Sequence, residues 1–229
     1  MIQPEIEQLR GGLIVSCQAP TGSPLCDPHI MSAMALAAEQ NGAAGVRINS
    51  AEHIVATKRK VRVPIIGIEK VVTDQSNVYI TPTFAVARRI ADSGADIIAL
   101  DGTSRIRPEG ERLKELIHRV HRELQLPVMA DVATFDEGLQ AAEFGAEIIA
   151  TTLCGYTAES RGAQLPAFEL LEQLAKRLNV PVICEGGVSS PDELRRAFDC
   201  GAFAVVVGTA ITGVGYLTER FAAALNCPQ

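Results

Sequence analysis

Four Gly-Ala pairs, Gly42-Ala43, Gly94-Ala95, Gly145-Ala146 and Gly201-Ala202, recur along this chain at intervals of 52, 51 and 56 residues, and each precedes a short apolar run. These runs cover 45–48, 96–100, 147–151 and 204–207. A second signature alternates with the first. Val63-Pro64, Leu126-Pro127 and Val180-Pro181 open the apolar runs 65–68, 128–130 and 182–184, and 13–17 supplies the missing first member. The spacing therefore predicts eight strands, two per repeat.

Helical patterns lie between the runs. Leu113, Leu116, Ile117, Val120 and Leu124 recur at helical spacing, as do Ala167, Leu171, Leu174 and Leu178, and then Leu217, Phe221, Ala224 and Leu225. Thr81-Pro82 and Ser190-Pro191 read as an N-cap followed by a first-turn proline, and Glu193 completes a capping box with Ser190. The glycine of each Gly-Ala pair falls where a helix ends, and the proline of each X-Pro pair where a strand begins without losing a ladder N–H. Eight strands alternating with helices imply a parallel sheet. An open doubly wound sheet is the rival, but it explains neither a fourfold repeat running the whole chain nor the lack of a polar edge strand. The expectation is an α/β fold, a closed (β/α)8 barrel forming one domain over residues 1–229, with a short N-terminal helix within 1–10 capping its bottom. At 229 residues the chain has the length such barrels need.

Composition narrows the function. Twenty-one Lys and Arg against 27 Asp and Glu leave a net charge of −6, which suits phosphate backbones poorly. Three Tyr, seven Phe and no Trp leave little for stacking bases. No apolar run approaches a membrane span, and the acidic start of the chain lacks a signal-peptide core, so a cytoplasmic protein is expected. Cys17, Cys26, Cys154, Cys184, Cys200 and Cys227 include no Cys-x-x-Cys pair and read as reduced, small hydrophobes.

Active sites of such barrels lie where strands end and βα loops begin. The polar residues at those ends are Gln18, Arg47 with Asn49, Glu69-Lys70, Asp101 with Thr103 and Arg105, Asp131, Thr151-Thr152 and Glu185, while the eighth end carries Gly208-Thr209. Alternate strand residues face inward. Arg47, Lys70, Asp131 and Glu185 are therefore expected to point into one cup, although an ion-pair lattice plugging the barrel would use the same residues. Gly186-Gly187 after the seventh strand and Gly208-Thr209 after the eighth offer backbone N–H groups where barrels commonly hold phosphate. His29, His53, His118 and His121 fall at no strand end, so no metal site is expected.

These residues resemble the N-acylglucosamine-6-phosphate 2-epimerase family. The resemblance runs from Leu13 to Phe221. Its carriers are the segments 13–18, 45–47, 66–70, 100–103 with Arg105, Arg107 and Pro108, 129–131, 151–157, 184–186 and 207–212. It implies an epimerase without metal or cofactor that interconverts N-acetylmannosamine 6-phosphate and N-acetylglucosamine 6-phosphate in amino-sugar (sialic acid) catabolism, as a cytoplasmic homodimer. It places proton transfer on Lys70 with Glu185 as the partner carboxylate. Gln18, Arg47, Asp131 and Thr152 become sugar contacts, and Gly186, Gly187, Gly208 and Thr209 the phosphate cradle. The chain departs from the family pattern at Gly102 (usually Ala), at Gly187 (often basic) and at Gly213-Val214 (often Arg-Pro).

Inverting C2 of such a sugar requires removing a proton beside a carbonyl that exists only in the open-chain form. A lysine base must then be neutral, which from an ordinary pKa costs about 4.6 kcal/mol at pH 7. Desolvation and Arg47 would lower that cost, and a charged Glu185 would raise it. A Schiff-base aldolase and a non-catalytic sugar-phosphate sensor on the same barrel remain open on the sequence alone.

Overall fold

The computed structural model describes residues 2–74 and 76–225. Eight strands close in sequence order, β1 to β8, and every neighbouring pair is parallel, including β8 with β1. They are β1 Leu13–Cys17, β2 Gly45–Asn49, β3 Ile65–Ile68, β4 Ile97–Asp101, β5 Val128–Asp131, β6 Ile148–Ala150, β7 Val182–Glu185 and β8 Ala204–Val207. Alternation divides them as the pleat requires. Ile14, Ile66, Ile97, Met129, Ile183 and Val206 pack with one another inside the ring, while Val15, Val46, Ile98, Val128, Val182 and Val205 pack outward into the helical layer.

The helices are α1 Pro4–Glu7, α2 Pro28–Gln40, α3 Ala51–Lys58, α4 Phe84–Asp92, α5 Leu113–Arg119, α6 Phe135–Glu143, α7 Phe168–Arg177, α8 Pro191–Asp199, α9 Thr209–Thr212 and α10 Val214–Ala224. The Gly-Ala repeat closes four of them in one way. Gly42, Gly94, Gly145 and Gly201 have φ of 95°, 96°, 104° and 93°, the left-handed region that favours glycine. The alanine that follows donates its N–H back across the last turn, as from Ala43 to Ala38 O at 3.0 Å and from Ala202 to Ala197 O at 3.0 Å. The next residue donates into the preceding strand, as from Ala44 to Leu13 O at 2.8 Å and from Phe203 to Val182 O at 2.7 Å. Each pair thus ends a helix and sets the register of the next strand. Pro64, Pro127 and Pro181 stand one residue before their strands, their carbonyls accepting from Val46, Ile98 and Ile149 on the neighbouring strands.

The Ser190 side chain caps α8 at the Glu193 N–H, but the Glu193 carboxylate reaches Ser189 N–H, one residue early. Thr134 with Glu137 forms a complete capping box on α6. Thr81 is not the cap of α4. Its φ is 43°, its N–H donates to Glu69 O at 2.9 Å, and Thr83 caps the helix instead. The pattern over 113–124 is α5 continued by one π turn, Val120–Leu124.

The described part of the N-terminal segment forms α1. Ile6 and Leu9 are buried in the interior cluster, and Gly11 N–H bonds Phe203 O at the strand-start end of the barrel. Helix α10 forms from the predicted pattern, yet none of its residues is buried, and Phe221 is 80% exposed. Among the described residues, no helix is long and apolar enough to cross a membrane. Cys17, Cys26, Cys154, Cys184 and Cys200 are free thiols, while Cys227 lies outside the described residues.

Candidate active site

The inward alternation that packs the barrel with isoleucine and valine turns polar in its last layer. Arg47 on β2, Asp101 on β4 and Asp131 on β5 are buried, and Glu185 on β7 is 12% exposed. Gln18, one residue past β1, and Lys70, two residues past β3, fall on the same parity. Glu69, of opposite parity, turns outward to Arg89 on α4 at 2.7 Å.

Arg47 is the hub. Its Nη1 and Nη2 donate to the two Asp131 oxygens at 3.0 and 2.6 Å, and Nη1 also donates to Glu185 Oε2 at 2.6 Å. Thr152 Oγ1 donates to Asp131 Oδ1 at 2.7 Å and to Glu185 Oε2 at 3.1 Å. Thr151 holds the Glu185 backbone, donating to its O and accepting from its N–H. Burial opposes charge on Arg47, but Asp131 and Glu185 more than offset that and hold its pKa above the ordinary arginine value. Glu185 goes the other way. Burial is the largest influence, and despite the opposing pull of Arg47 it is pushed up to about 7.

Lys70 stands at the mouth, exposed as a residue, with its N–H bonded to Asn49 Oδ1 at 2.9 Å and its backbone bridged to Ile80. Desolvation around the amine, then the Arg47 charge, lower its pKa below the lysine norm, against the upward pull of Glu185 and Asp131. Gln18 Nε2 donates to Ser16 Oγ at 2.7 Å, while its Oε1 is buried without a partner, as is Arg47 Nε. Such buried groups call for a polar partner that the described residues do not supply.

On the β7–β8–β1 side, the N–H groups of Gly186, Gly187, Gly208 and Thr209 have no acceptor among the described residues. Gly187 has φ of 76°, and a Cβ there would stand 2.6 Å from Leu165 Cβ, so glycine is required where the loop meets the 165–166 segment. Gly208 is open, since a Cβ would only touch Ser16 Cβ at 3.4 Å.

A second buried carboxylate organises the opposite side. Asp101 accepts from Thr103 N–H and Oγ1 and pairs with Arg105 Nη2 at 2.6 Å. Tyr79, which the sequence reading passed over, packs beside the interior cluster, and its pKa is raised by burial and then by Asp131. The histidines are elsewhere: His118 and His121 line an outer groove on α5 and its π turn, and His121 bonds Glu147 at 3.1 Å. Among the described residues, no cluster of three or more His, Cys, Asp or Glu is placed to hold a metal ion.

The fold and the cup together define a (β/α)8 barrel with a pKa-lowered lysine and a pKa-raised glutamate at its strand ends. Comparison with known proteins narrows that class. Residues 31–227 match the family model described as "Putative N-acetylmannosamine-6-phosphate epimerase". Relatives bearing the corresponding 2-epimerase description include one from Synechococcus elongatus, 49% identical over 98% of this chain and 97% of its own, and one from Cutibacterium acnes, 48% identical over 96% of each. The solved N-acetylmannosamine-6-phosphate 2-epimerase of Clostridium perfringens superposes with a TM-score of 0.93 at 41% identity, covering 97% of this chain and 96% of that one. A thiamine phosphate pyrophosphorylase from Pyrococcus furiosus, at TM-score 0.62 and 17% identity, shares the fold alone. The chain belongs to the N-acetylmannosamine-6-phosphate 2-epimerase family.

Proposed function

We propose that this protein interconverts N-acetylmannosamine 6-phosphate and N-acetylglucosamine 6-phosphate by moving a proton at C2 of the open-chain sugar. One observation carries the reading. Lys70 and Glu185 enter the cup from the ends of β3 and β7, four strands apart in a ring of eight, and so from opposite walls. Inversion needs a proton taken from one face and delivered to the other. The amine of Lys70, made easier to deprotonate, removes the C2 proton as the electron pair moves into the C1 carbonyl to give an enolate. Glu185, protonated up to about pH 7, returns a proton from the far face, and the roles reverse in the other direction.

Asp131 and Thr152 hold Arg47 and Glu185 in place, and the cationic hub stabilises the enolate oxygen. The free Oε1 of Gln18 accepts from a sugar hydroxyl. The free N–H groups of Gly186, Gly187, Gly208 and Thr209 take the phosphate, and with no basic residue at 187, backbone donors carry that contact. The scheme asks for no cofactor or metal. The reaction belongs to amino-sugar breakdown in the cytoplasm. The exposed Val214, Tyr216 and Phe221 of α10 supply an apolar surface for the homodimer.

Proton NMR of N-acetylmannosamine 6-phosphate in heavy water tests the reaction. Deuterium should enter C2 of the product before it enters the remaining substrate, as two opposed groups require. Lys70→Ala should lower the exchange rate by about 10²–10⁴-fold or more with the fold intact. Turnover within tenfold of wild type would remove Lys70 from the mechanism, and a borohydride-trapped adduct would favour the aldolase instead.

A further inference from the structure

A cavity of about 470 Å³ opens beside the cup, lined by Tyr79, Arg105, Tyr156, Thr157, Glu159 and Arg161 among others. The proton-transfer scheme uses none of these residues. Yet two of them tie the wall of the cavity to the cup. Tyr79 lies across the backbone bridge from the catalytic strand end: Val71 N–H donates to Tyr79 O at 2.8 Å, and Lys70 pairs with Ile80. Arg105 is clamped from beneath. Its Nη2 is 2.6 Å from Asp101 Oδ2 and its Nε 3.0 Å from Thr103 Oγ1, and Asp101 sits in register with Asp131. Arg105 Nη1 has no acceptor among the described residues and its side chain is 15% exposed. The guanidinium is thus held rigidly with one edge spare.

We propose that this cavity receives the N-acyl arm carried on C2, and that Arg105 is the positioning residue that hydrogen-bonds the acyl carbonyl oxygen. The assignment rests on the epimerase reading, which lays the phosphate on the β7 and β8 loops. The cavity is built from the loops after β3, β4 and β6, and its β3 and β4 edge stands opposite those glycines in the ring. An extended sugar with its 6-phosphate on one side and C2 between Lys70 and Glu185 directs its acyl arm to the other. The lining suits a neutral polar group. With Asp101 beneath Arg105 counted, two arginines, Arg105 and Arg161, meet two carboxylates, Asp101 and Glu159, and tyrosine and threonine hydroxyls add donors. A fixed donor on the acyl carbonyl stops rotation about the C2–N bond and keeps the C2–H bond aligned with the carbonyl π system, which is where positioning energy speeds deprotonation. Arg47 already binds Asp131 and Glu185 through three hydrogen bonds, and in this scheme its charge serves the enolate oxygen.

Calorimetric binding of two ligands tests this: N-acetylglucosamine 6-phosphate, and glucose 6-phosphate, which lacks the acyl arm. Arg105→Gln should weaken the first by about tenfold or more, as for loss of a charged hydrogen bond, and leave the second within about twofold. Because Asp101 loses its partner in that variant, Ala158→Trp provides a second one. Ala158 is exposed on the cavity wall, and a bulky ring there should exclude the acylated ligand and spare glucose 6-phosphate without touching the Asp101 clamp. Equal weakening of both ligands in both variants overturns the assignment. Weakened competition by inorganic phosphate in Arg105→Gln also overturns it, by placing the phosphate there. A wild-type protein that prefers the acylated ligand through Arg105 but exchanges no C2 proton upholds the subsite and sinks the epimerase reading, so the two failures are distinct.

Discussion

Asp101 and Asp131 are register partners on β4 and β5, and each grips a different arginine: Asp131 takes Arg47 with both oxygens, and Asp101 takes Arg105 with one. Both carboxylates are fully buried, so each relies on its cation. The first pair is closed on itself and on Glu185, and the second leaves a donor edge open to the adjoining cavity. Two like charges side by side in one layer are tolerable only because each is neutralised locally.

Arg47→Met should therefore destabilise the fold strongly, by about 3–5 kcal/mol, because it strands Asp131 in the interior. Arg47→Met combined with Asp131→Leu should recover much of that loss. Urea unfolding of the two variants checks this, and a double variant no better than the single would show that the ion pair is not what Arg47 contributes.

The raised pKa of Glu185 fixes a pH dependence of stability. A carboxyl whose folded pKa lies above its unfolded value holds its proton more tightly when folded. The stabilisation is complete below the unfolded pKa of roughly 4.3 and is lost as pH rises through about 7. Relative to Glu185→Gln, the wild-type protein should thus lose roughly 2–3 kcal/mol between pH 5 and pH 8. Parallel stability curves for the two proteins would place the ionisation elsewhere.

Two glycines of the phosphate loops should respond in opposite ways. Gly187→Ala puts a methyl group against Leu165 at a left-handed backbone position, so it should cost about 1–3 kcal/mol in thermal or urea unfolding. Gly208→Val has room in the fold but fills the space in front of free N–H groups. It should leave the melting temperature nearly unchanged and raise KM for the phosphorylated sugar at least tenfold. A matched change in KM for the unphosphorylated sugar would mean that the loop does not hold phosphate.

Treatment with EDTA should leave activity unchanged. Asp131, Glu185 and Asp101 each pair with an arginine, and a dication would have to displace a guanidinium already 2.6 Å away. Loss of activity restored by one divalent ion would show that such displacement occurs.

The strands were legible because parallel strands buried on both faces leave continuous apolar runs, and because each Gly-Ala closure imposes a backbone geometry other residues resist. The cup followed from parity alone, since residues such as Arg47 and Glu185 continue the inward alternation. Thr81 misled because the proline after it suggests a helix start, while its real partners, the Glu69 N–H and O, are twelve residues away in sequence. Tyr79 carried no local signal. Its place beside the cup depends on the pairing of Lys70 with Ile80, which no periodicity announces. The exposure of α10 was equally hidden, because spacing predicts that a helix forms and not what it packs against.

Ile6 and Leu9, packed beneath the innermost layer, give this barrel a floor. With that floor and the packed layers above it filling the ring, incoming sugar and departing epimer use the strand-end mouth of the cup. Each product molecule must vacate the cup before the next turnover can begin. The two epimers should consequently compete for one form of the protein, each inhibiting conversion of the other in a purely competitive pattern.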